Sequence, residues 1–236
     1  MKRLSRIEIS APISTVTSVV QGVMNLALLI YLARVLAPVA YGSFSYTWAV
    51  VAMVSTLTSL GIPSLLTREL SRVTNGSHII TQGISLLSQI SVIVSLGFFA
   101  VVQIIPGLHA YRPLFDLWTL FLLFNSINPR WILASLGQLW VATLGDLWGV
   151  LFRLVLTIWL VRRPSDIPMA IAVTGLSLVI PLIAQYVWIY RETPYRMTWI
   201  PFGRGWHQVR RALPLGIMGF VSILYSGMDT WILHLA

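Results

Sequence analysis

Two ionisable residues lie near the middle of an apolar stretch that is long enough to cross a lipid bilayer. Residues 139–161, LWVATLGDLWGVLFRLVLTIWLV, contain Asp146 and Arg153. Because a helix turns about 100° per residue, a separation of seven returns both side chains to nearly the same face, about 10 Å apart along the axis. Gly145 and Gly149 form a GxxxG pair on the same stretch. The pattern predicts a helix with one small, ionisable stripe and an otherwise apolar surface.

Charges at this depth constrain what surrounds the helix. A charged side chain at mid-bilayer costs roughly 2.5–3.5 kcal/mol on insertion scales. Asp146 and Arg153 are therefore expected to face protein or water, which requires neighbouring helices. Either the two charges act as structural partners that hold helices together, or they line a polar path for a solute. We favour the second interpretation, because intramembrane charges commonly mark functional pathways.

The composition indicates that the whole chain is a membrane protein. Of its 236 residues, 57% are hydrophobic and only 10% are charged, against about 25% charged in soluble domains. The absence of cysteine excludes disulfides and cysteine-based metal sites. The net charge is +9, but the basic residues are spread between apolar runs, so nucleic acid is not expected as a partner. Because phosphate-loop, zinc-protease and serine-hydrolase motifs are lacking, we expect neither an enzyme nor a cofactor or metal.

Seven apolar segments of about 20 residues or more predict an all-α, polytopic helical membrane protein with about seven transmembrane helices. The segments are Ser10–Ala33, Tyr41–Leu66, Ile79–Ile104, Leu114–Ser135, Leu139–Val161, Pro168–Tyr190 and Leu213–Ala236. The first six predict one lobe over residues 1–190. Residues 191–212 are interpreted as a basic cytoplasmic connector, and residues 213–236 as the first helix of an incomplete second lobe.

The basic residues other than Arg153 predict the orientation. If the N-terminus is cytoplasmic, eleven Lys and Arg residues fall on that side and four on the other. An excess of this kind is typical of cytoplasmic loops. We therefore expect a multi-pass protein with its N-terminus in the cytoplasm and membrane lipids around its outer surface.

Two other predicted helices carry polar stripes. Four polar residues of the first helix follow steps of four, three and four, which places them on one face: Ser14, Ser18, Gln21 and Asn25. The last predicted helix carries Ser222, Tyr225 and Asp229 at steps of three and four. Such faces either hydrogen-bond to neighbouring helices or line a cavity. Gln21, Asn25 and Asp229 therefore join Asp146 and Arg153 as candidate binding residues.

The first two predicted helices end in motifs that are typical of one transporter family. The sequences LARVLAPVAYGSF and LGIPSLLTREL resemble the start of polysaccharide-biosynthesis exporters, the O-antigen or lipid-linked oligosaccharide flippases of the multidrug/oligosaccharidyl-lipid/polysaccharide exporter superfamily. Ala37 stands where this family usually has glycine. The matching positions are Leu32, Ala33, Arg34, Leu36, Pro38, Tyr41, Gly42 and Phe44 in the first motif, and Leu60, Gly61, Pro63, Thr67, Arg68, Glu69 and Leu70 in the second.

The resemblance implies a flippase that moves a lipid-linked oligosaccharide or polysaccharide repeat unit across the bacterial or archaeal cell (inner) membrane by alternating access. Such exporters have two six-helix lobes and roughly twice this length, so the chain is expected to be an N-terminal half that works with a second half or as a homo-oligomer. The expected substrate-binding residues are Arg153, Asp146, Asn25, Gln21 and Asp229, with arginine suited to a pyrophosphate. The alternatives are a multidrug or small-solute exporter of the same superfamily, or a non-transporting membrane protein fragment.

Overall fold

The computed structural model of the chain describes residues 2–73, 76–125, 127–192, 201, 205–219 and 221. Within these residues the chain is helical with short turns and contains no β-strand. A further helix covers residues 205–219. The α-helices with defined ends are α1 Lys2–Val35, α2 Ala37–Ser59, α3 Ile62–Leu70, α4 Ser77–Ile104, α5 Arg112–Asn125, α6 Arg130–Ser135, α7 Leu139–Leu160 and α8 Ile167–Glu192.

The all-α, multi-pass prediction is confirmed. Four helical segments of the described chain are long and apolar enough to cross a membrane. They are Pro12–Val35 within α1, the whole of α4, the whole of α7, and Pro164–Glu192, which includes α8. A fifth crossing is reached if α2 and α3 count as one broken span. Of the seven predicted spans, the seventh lies largely outside the described residues, and the fourth is divided into two shorter helices.

The second predicted span bends by 43° where α2 passes into α3. Leu60 and Gly61 both adopt a left-handed backbone there, with φ values of 46° and 72°. Two consecutive left-handed residues end a right-handed helix, and glycine adopts this conformation without the usual steric cost. A Cβ atom on Gly61 would also lie 2.5 Å from the backbone nitrogen of Gly216, so helix 205–219 crosses directly over the bend.

The fourth predicted span is interrupted between α5 and α6. Helix α6 begins after Pro129, which occupies its N-cap position. Proline has no backbone N–H and disfavours a helical conformation in the residue before it, so a helix that enters from Phe124 cannot continue through Asn128. Asn128 instead accepts a hydrogen bond of 3.0 Å from the Arg130 backbone N–H through its side-chain oxygen. The interruption places polar side chains between helices, within the span that the sequence predicts as one continuous helix.

The helices pack in two groups that share α8. Helix α7 lies between α1 and α8, while α5 packs against α2, α4 and α8. Trp118 and Phe115 of α5 are fully buried between these helices. Large apolar side chains remain exposed on the outer faces, for example Val16, Leu96 and Trp159. An apolar exterior of this kind suits contact with lipid tails rather than water.

The predicted connector and the predicted seventh helix meet inside helix 205–219. Val209 and Ala212 of this helix are buried in the same apolar cluster as residues of α3 and α4. The Arg211 guanidinium lies 3.3 Å from the Glu69 carboxylate of α3. This helix is therefore docked on the lobe through apolar contacts and one ion pair.

Candidate functional site

A cavity of about 580 Å³ lies between α1, α2, α7 and α8. Most of its wall is apolar or aromatic, and its polar side chains come from five separate elements, counting the break between α5 and α6. The residues that line it are Asn25, Leu28, Leu29, Leu32, Tyr41, Phe44, Ser45, Trp48, Asn128, Asp146, Gly149, Val150, Arg153, Thr174, Ser177, Leu178, Pro181 and Leu182. A mostly apolar cavity with a few convergent polar groups is the usual form of a small-molecule site.

Asp146 and Arg153 both line this cavity, and each has its own partner. Asp146 accepts a hydrogen bond of 2.5 Å from the Arg130 guanidinium. Arg153 donates through Nη2 to the side-chain oxygen of Asn25. The two charges of α7 therefore do not pair with each other, although both lie on the face that helical periodicity predicts.

Asp146 is held from two sides. Its carboxylate forms the ion pair with Arg130 of α6, and the Gln185 side chain of α8 lies beside it. The Gln185 amide also donates to the Ala142 carbonyl oxygen at 3.4 Å. These contacts fix α6 and α8 against α7 at one end of the cavity. The pair is half open to its surroundings, with Arg130 49% and Asp146 28% exposed.

We expect the Arg130–Asp146 pair to contribute only modestly to stability. Exposed ion pairs measure about 0.2–1 kcal/mol, and both partners here remain partly exposed. A double-mutant cycle with Arg130→Gln and Asp146→Asn, read by thermal unfolding of the purified protein, should give a coupling energy in this range. A coupling near 3–5 kcal/mol would contradict the half-exposed geometry and indicate a sealed pair.

Arg153 is charged and has no counter-ion within the part of the chain that the structure describes. Among the described residues, no carboxylate lies within 4.0 Å of its guanidinium. Its Nε atom is buried and has no hydrogen-bond partner. The Asn25 side-chain oxygen accepts one hydrogen bond but carries no negative charge. The guanidinium therefore keeps donors and a full positive charge available beside the cavity, and both are features that an anionic ligand can use.

The remaining candidate residues lie elsewhere. Gln21 of α1 donates to the Thr143 carbonyl oxygen of α7 at 2.9 Å and does not line the cavity, so its contact is between helices. Asp229 lies outside the described residues. Within the described chain, no group of three His, Asp or Glu side chains is arranged to hold a metal ion.

The GxxxG pair of α7 packs against α8. A Cβ atom on Gly149 would lie 2.6 Å from the Ser177 carbonyl oxygen and 2.8 Å from Pro181 Cγ. A Cβ atom on Gly145 would lie 2.6 Å from the Gln185 side-chain nitrogen. Small residues of this kind let two helix backbones approach closely. The close approach sets the width of the cavity wall that α7 and α8 share.

The family follows from a match over nearly the whole chain. Residues 11–236 match the family model described as polysaccharide biosynthesis protein. The chain belongs to the polysaccharide biosynthesis protein family. The resemblance found in the two sequence motifs is thereby confirmed at the level of the family. No curated protein and no solved structure gives a significant match to the chain. Its family and its apolar helices together make this polysaccharide biosynthesis protein a multi-pass membrane protein.

Three residues at the site of this polysaccharide biosynthesis protein escape prediction from the sequence. Arg130 enters the sequence analysis only as one of the eleven basic residues assigned to the cytoplasmic side, yet it forms the ion pair with Asp146. Asn128 sits in the break after α5 and lines the cavity. Trp48 also lines the cavity, but a tryptophan in the apolar sequence of α2 does not stand out as a site residue. For Asn128, the Asn-Pro dipeptide is a turn signal that could have indicated the break.

Proposed function

We propose that the chain forms one lobe of a flippase that moves a lipid-linked oligosaccharide across the cell membrane. The observation that carries this proposal is the Arg153 guanidinium beside a 580 Å³ cavity, without a carboxylate partner among the described residues. A charge that holds helices together would be neutralised by its partner, whereas the partner of Arg153 in the described chain is the neutral Asn25 amide oxygen. Membership of the polysaccharide biosynthesis protein family supports this choice of substrate class.

The chemistry of the wall suits an amphiphilic anion. The planar guanidinium of Arg153 can donate two hydrogen bonds to a diphosphate, and it stays charged at any physiological pH. The amide nitrogen of Asn25, together with Ser45 and Asn128, provides donors and acceptors for sugar hydroxyls. The apolar outer faces of α1 and α7 leave the lipid chain of the substrate in contact with the membrane.

Transport by this site requires a second structural unit. Alternating access needs two bundles that rock about a central site, so that the cavity opens to one side of the membrane at a time. In the proposed orientation, with the N-terminus in the cytoplasm of a bacterial or archaeal cell, α1 and α7 run outwards and α2 and α8 run inwards. The second unit is either a further lobe or a second copy of this chain.

Reconstitution of the purified chain into liposomes tests the function. The liposomes carry an undecaprenyl-diphosphate-linked oligosaccharide, and a lectin that cannot cross the membrane reports how much sugar appears on the outer face. We expect the fraction of accessible sugar to rise only in liposomes that contain the protein. Efflux of ethidium without movement of the sugar lipid would favour the multidrug exporter, and movement of neither would contradict a transport function for the reconstituted chain.

A further inference from the structure

We infer that Trp48 is a stacking platform for a sugar ring of the substrate. The site then binds a diphosphate lipid that carries a sugar more tightly than one that does not. The inference rests on the proposed function, because it assigns the sugar and the phosphate of one substrate to different parts of the same cavity. Its first support is position. Trp48 lies on the face of α2 that also places Tyr41, Phe44 and Ser45 in the cavity wall.

Trp48 stands between two cavities. Together with Leu178, it lines both the 580 Å³ cavity and a second one of about 210 Å³ between α2, α5 and α8. The indole is 38% exposed, although it belongs to the inner side of the bundle. An aromatic side chain that separates two cavities has surface that no neighbouring residue covers. That surface is open to a ligand in either cavity.

The ring is braced from behind. Trp118 of α5 packs against it with ring centroids 5.0 Å apart and an interplanar angle of 50°. Trp118 is only 1% exposed, and its Nε1–H donates to the Thr47 hydroxyl at 3.3 Å. Thr47 is itself fully buried and donates to the Ser43 carbonyl oxygen. The indole of Trp48 is therefore held against a fixed partner, which lowers the entropy that a bound ring would otherwise cost.

The chemistry of the indole selects sugar over phosphate. The face of an aromatic ring carries the negative part of its quadrupole, which attracts polarised C–H groups and repels anions. A pyranose presents such C–H groups on one side and hydroxyls around its edge. Ser45 precedes Trp48 by one helical turn and Asn128 lies in the same wall, so hydroxyl partners surround the platform.

The depths of Trp48 and Arg153 fit one substrate. The Tyr31 hydroxyl donates to the Val161 carbonyl oxygen at 2.9 Å, so the end of α1 and the end of α7 lie together. Helix α2 starts at that same end, directly after α1. At 1.5 Å per residue, Trp48 lies about 16 Å from this common end along α2, and Arg153 lies about 10 Å from it along α7. A diphosphate at Arg153 therefore leaves its attached sugar within reach of the indole.

Binding of two lipids that differ only in the sugar tests this assignment. The full chain in nanodiscs is titrated with undecaprenyl diphosphate and with undecaprenyl-diphospho-N-acetylglucosamine. The ring geometry of an aromatic pair contributes about two- to twelvefold in affinity beyond its buried area. We therefore expect Trp48→Leu to weaken binding of the sugar lipid about tenfold and to leave the affinity for undecaprenyl diphosphate unchanged. Trp48→Phe, which keeps an aromatic face, should retain most of the affinity and also shows that the site still folds.

Trp148→Leu is the matched control. Trp148 lies on α7 between the two charged residues, is 68% exposed and does not line either cavity. Its replacement should leave both affinities unchanged. If Trp48→Leu weakens the binding of both lipids equally, or weakens the binding of neither, the sugar platform is overturned while the flippase proposal stands. If the unmodified protein binds neither lipid, the proposed function itself is overturned.

Discussion

Arg153→Ala is expected to abolish complementation of a flippase-deficient strain while the protein still inserts and folds. The substitution removes from the cavity wall a positive charge that no described carboxylate pairs with, together with its hydrogen-bond donors. Hydrogen bonds to charged groups contribute about 1.5–3 kcal/mol each, so the loss of two lowers substrate affinity by at least about a hundredfold. Arg153→Lys keeps the charge but not the planar fork of donors. Its complementation should therefore lie between that of the unmodified protein and that of Arg153→Ala.

Stability separates a binding role for Arg153 from a structural one. A cation that only serves transport is costly within the bilayer, so its removal should leave the melting temperature of the purified protein unchanged or higher. A structural role would make the alanine variant less stable, because Asn25 would lose the hydrogen bond that links α1 to α7. Arg163→Ala, in the turn before α8, is the control and should retain full activity. Full complementation by Arg153→Ala would remove this residue from the site.

The polar face of α7 can be predicted from the sequence, but the partners of its charges cannot. A separation of seven residues in an apolar run places Asp146 and Arg153 on one face by helical periodicity alone. Arg130 precedes Asp146 by 16 residues, and Asn25 is separated from Arg153 by 128. Only tertiary packing brings these partners together. The same limit applies to Gln21, whose position on a polar stripe does not distinguish cavity lining from its contact with α7.

The interrupted spans show a second limit of the sequence. Hydropathy is averaged over a segment, so a local change in backbone direction leaves the average intact. Gly61 and Pro129 both carry the relevant signal, since one permits a left-handed backbone and the other interrupts helical hydrogen bonding. Both lie near the ends of predicted spans, where a turn is expected in any case. The sequence therefore indicates the breaks but not that Asn128 reaches the cavity wall.

Trp48 shows why part of the site remains hidden in an apolar sequence. Tryptophan is common in membrane helices, both in packed cores and at the lipid interface. Neither hydropathy nor helical periodicity distinguishes Trp48 of α2 from Trp118 of α5, yet one lines the 580 Å³ cavity and the other is fully buried. The difference arises from the packing of α2 between α5 and α8. Polar residues stand out in an apolar chain, whereas aromatic residues at a site do not.

Gly149→Ala is expected to destabilise the protein by about 1–3 kcal/mol, the usual cost of overpacking, and to reduce transport with it. The added methyl group would lie 2.6 Å from a carbonyl oxygen of α8 and 2.8 Å from the ring of Pro181. Backbone and proline atoms cannot rotate away, so α7 and α8 must separate. Because both helices line the cavity, separation also changes the spacing between Arg153 and the opposite wall.

A graded series makes this prediction specific to the α7–α8 contact. Gly145→Ala should cost less than Gly149→Ala, because its new methyl group meets only the end of the Gln185 side chain, which can move. Gly22→Ala in α1 meets no heavy atom within 4 Å and should stay within about 1 kcal/mol of the unmodified protein. Thermal unfolding of the three variants in one detergent gives the order directly. Equal destabilisation by Gly145→Ala and Gly149→Ala would mean that both glycines of the GxxxG pair contribute equally to the packing of α7 on α8. The close contact of Gly149 with Ser177 would then not set the spacing of the two helices.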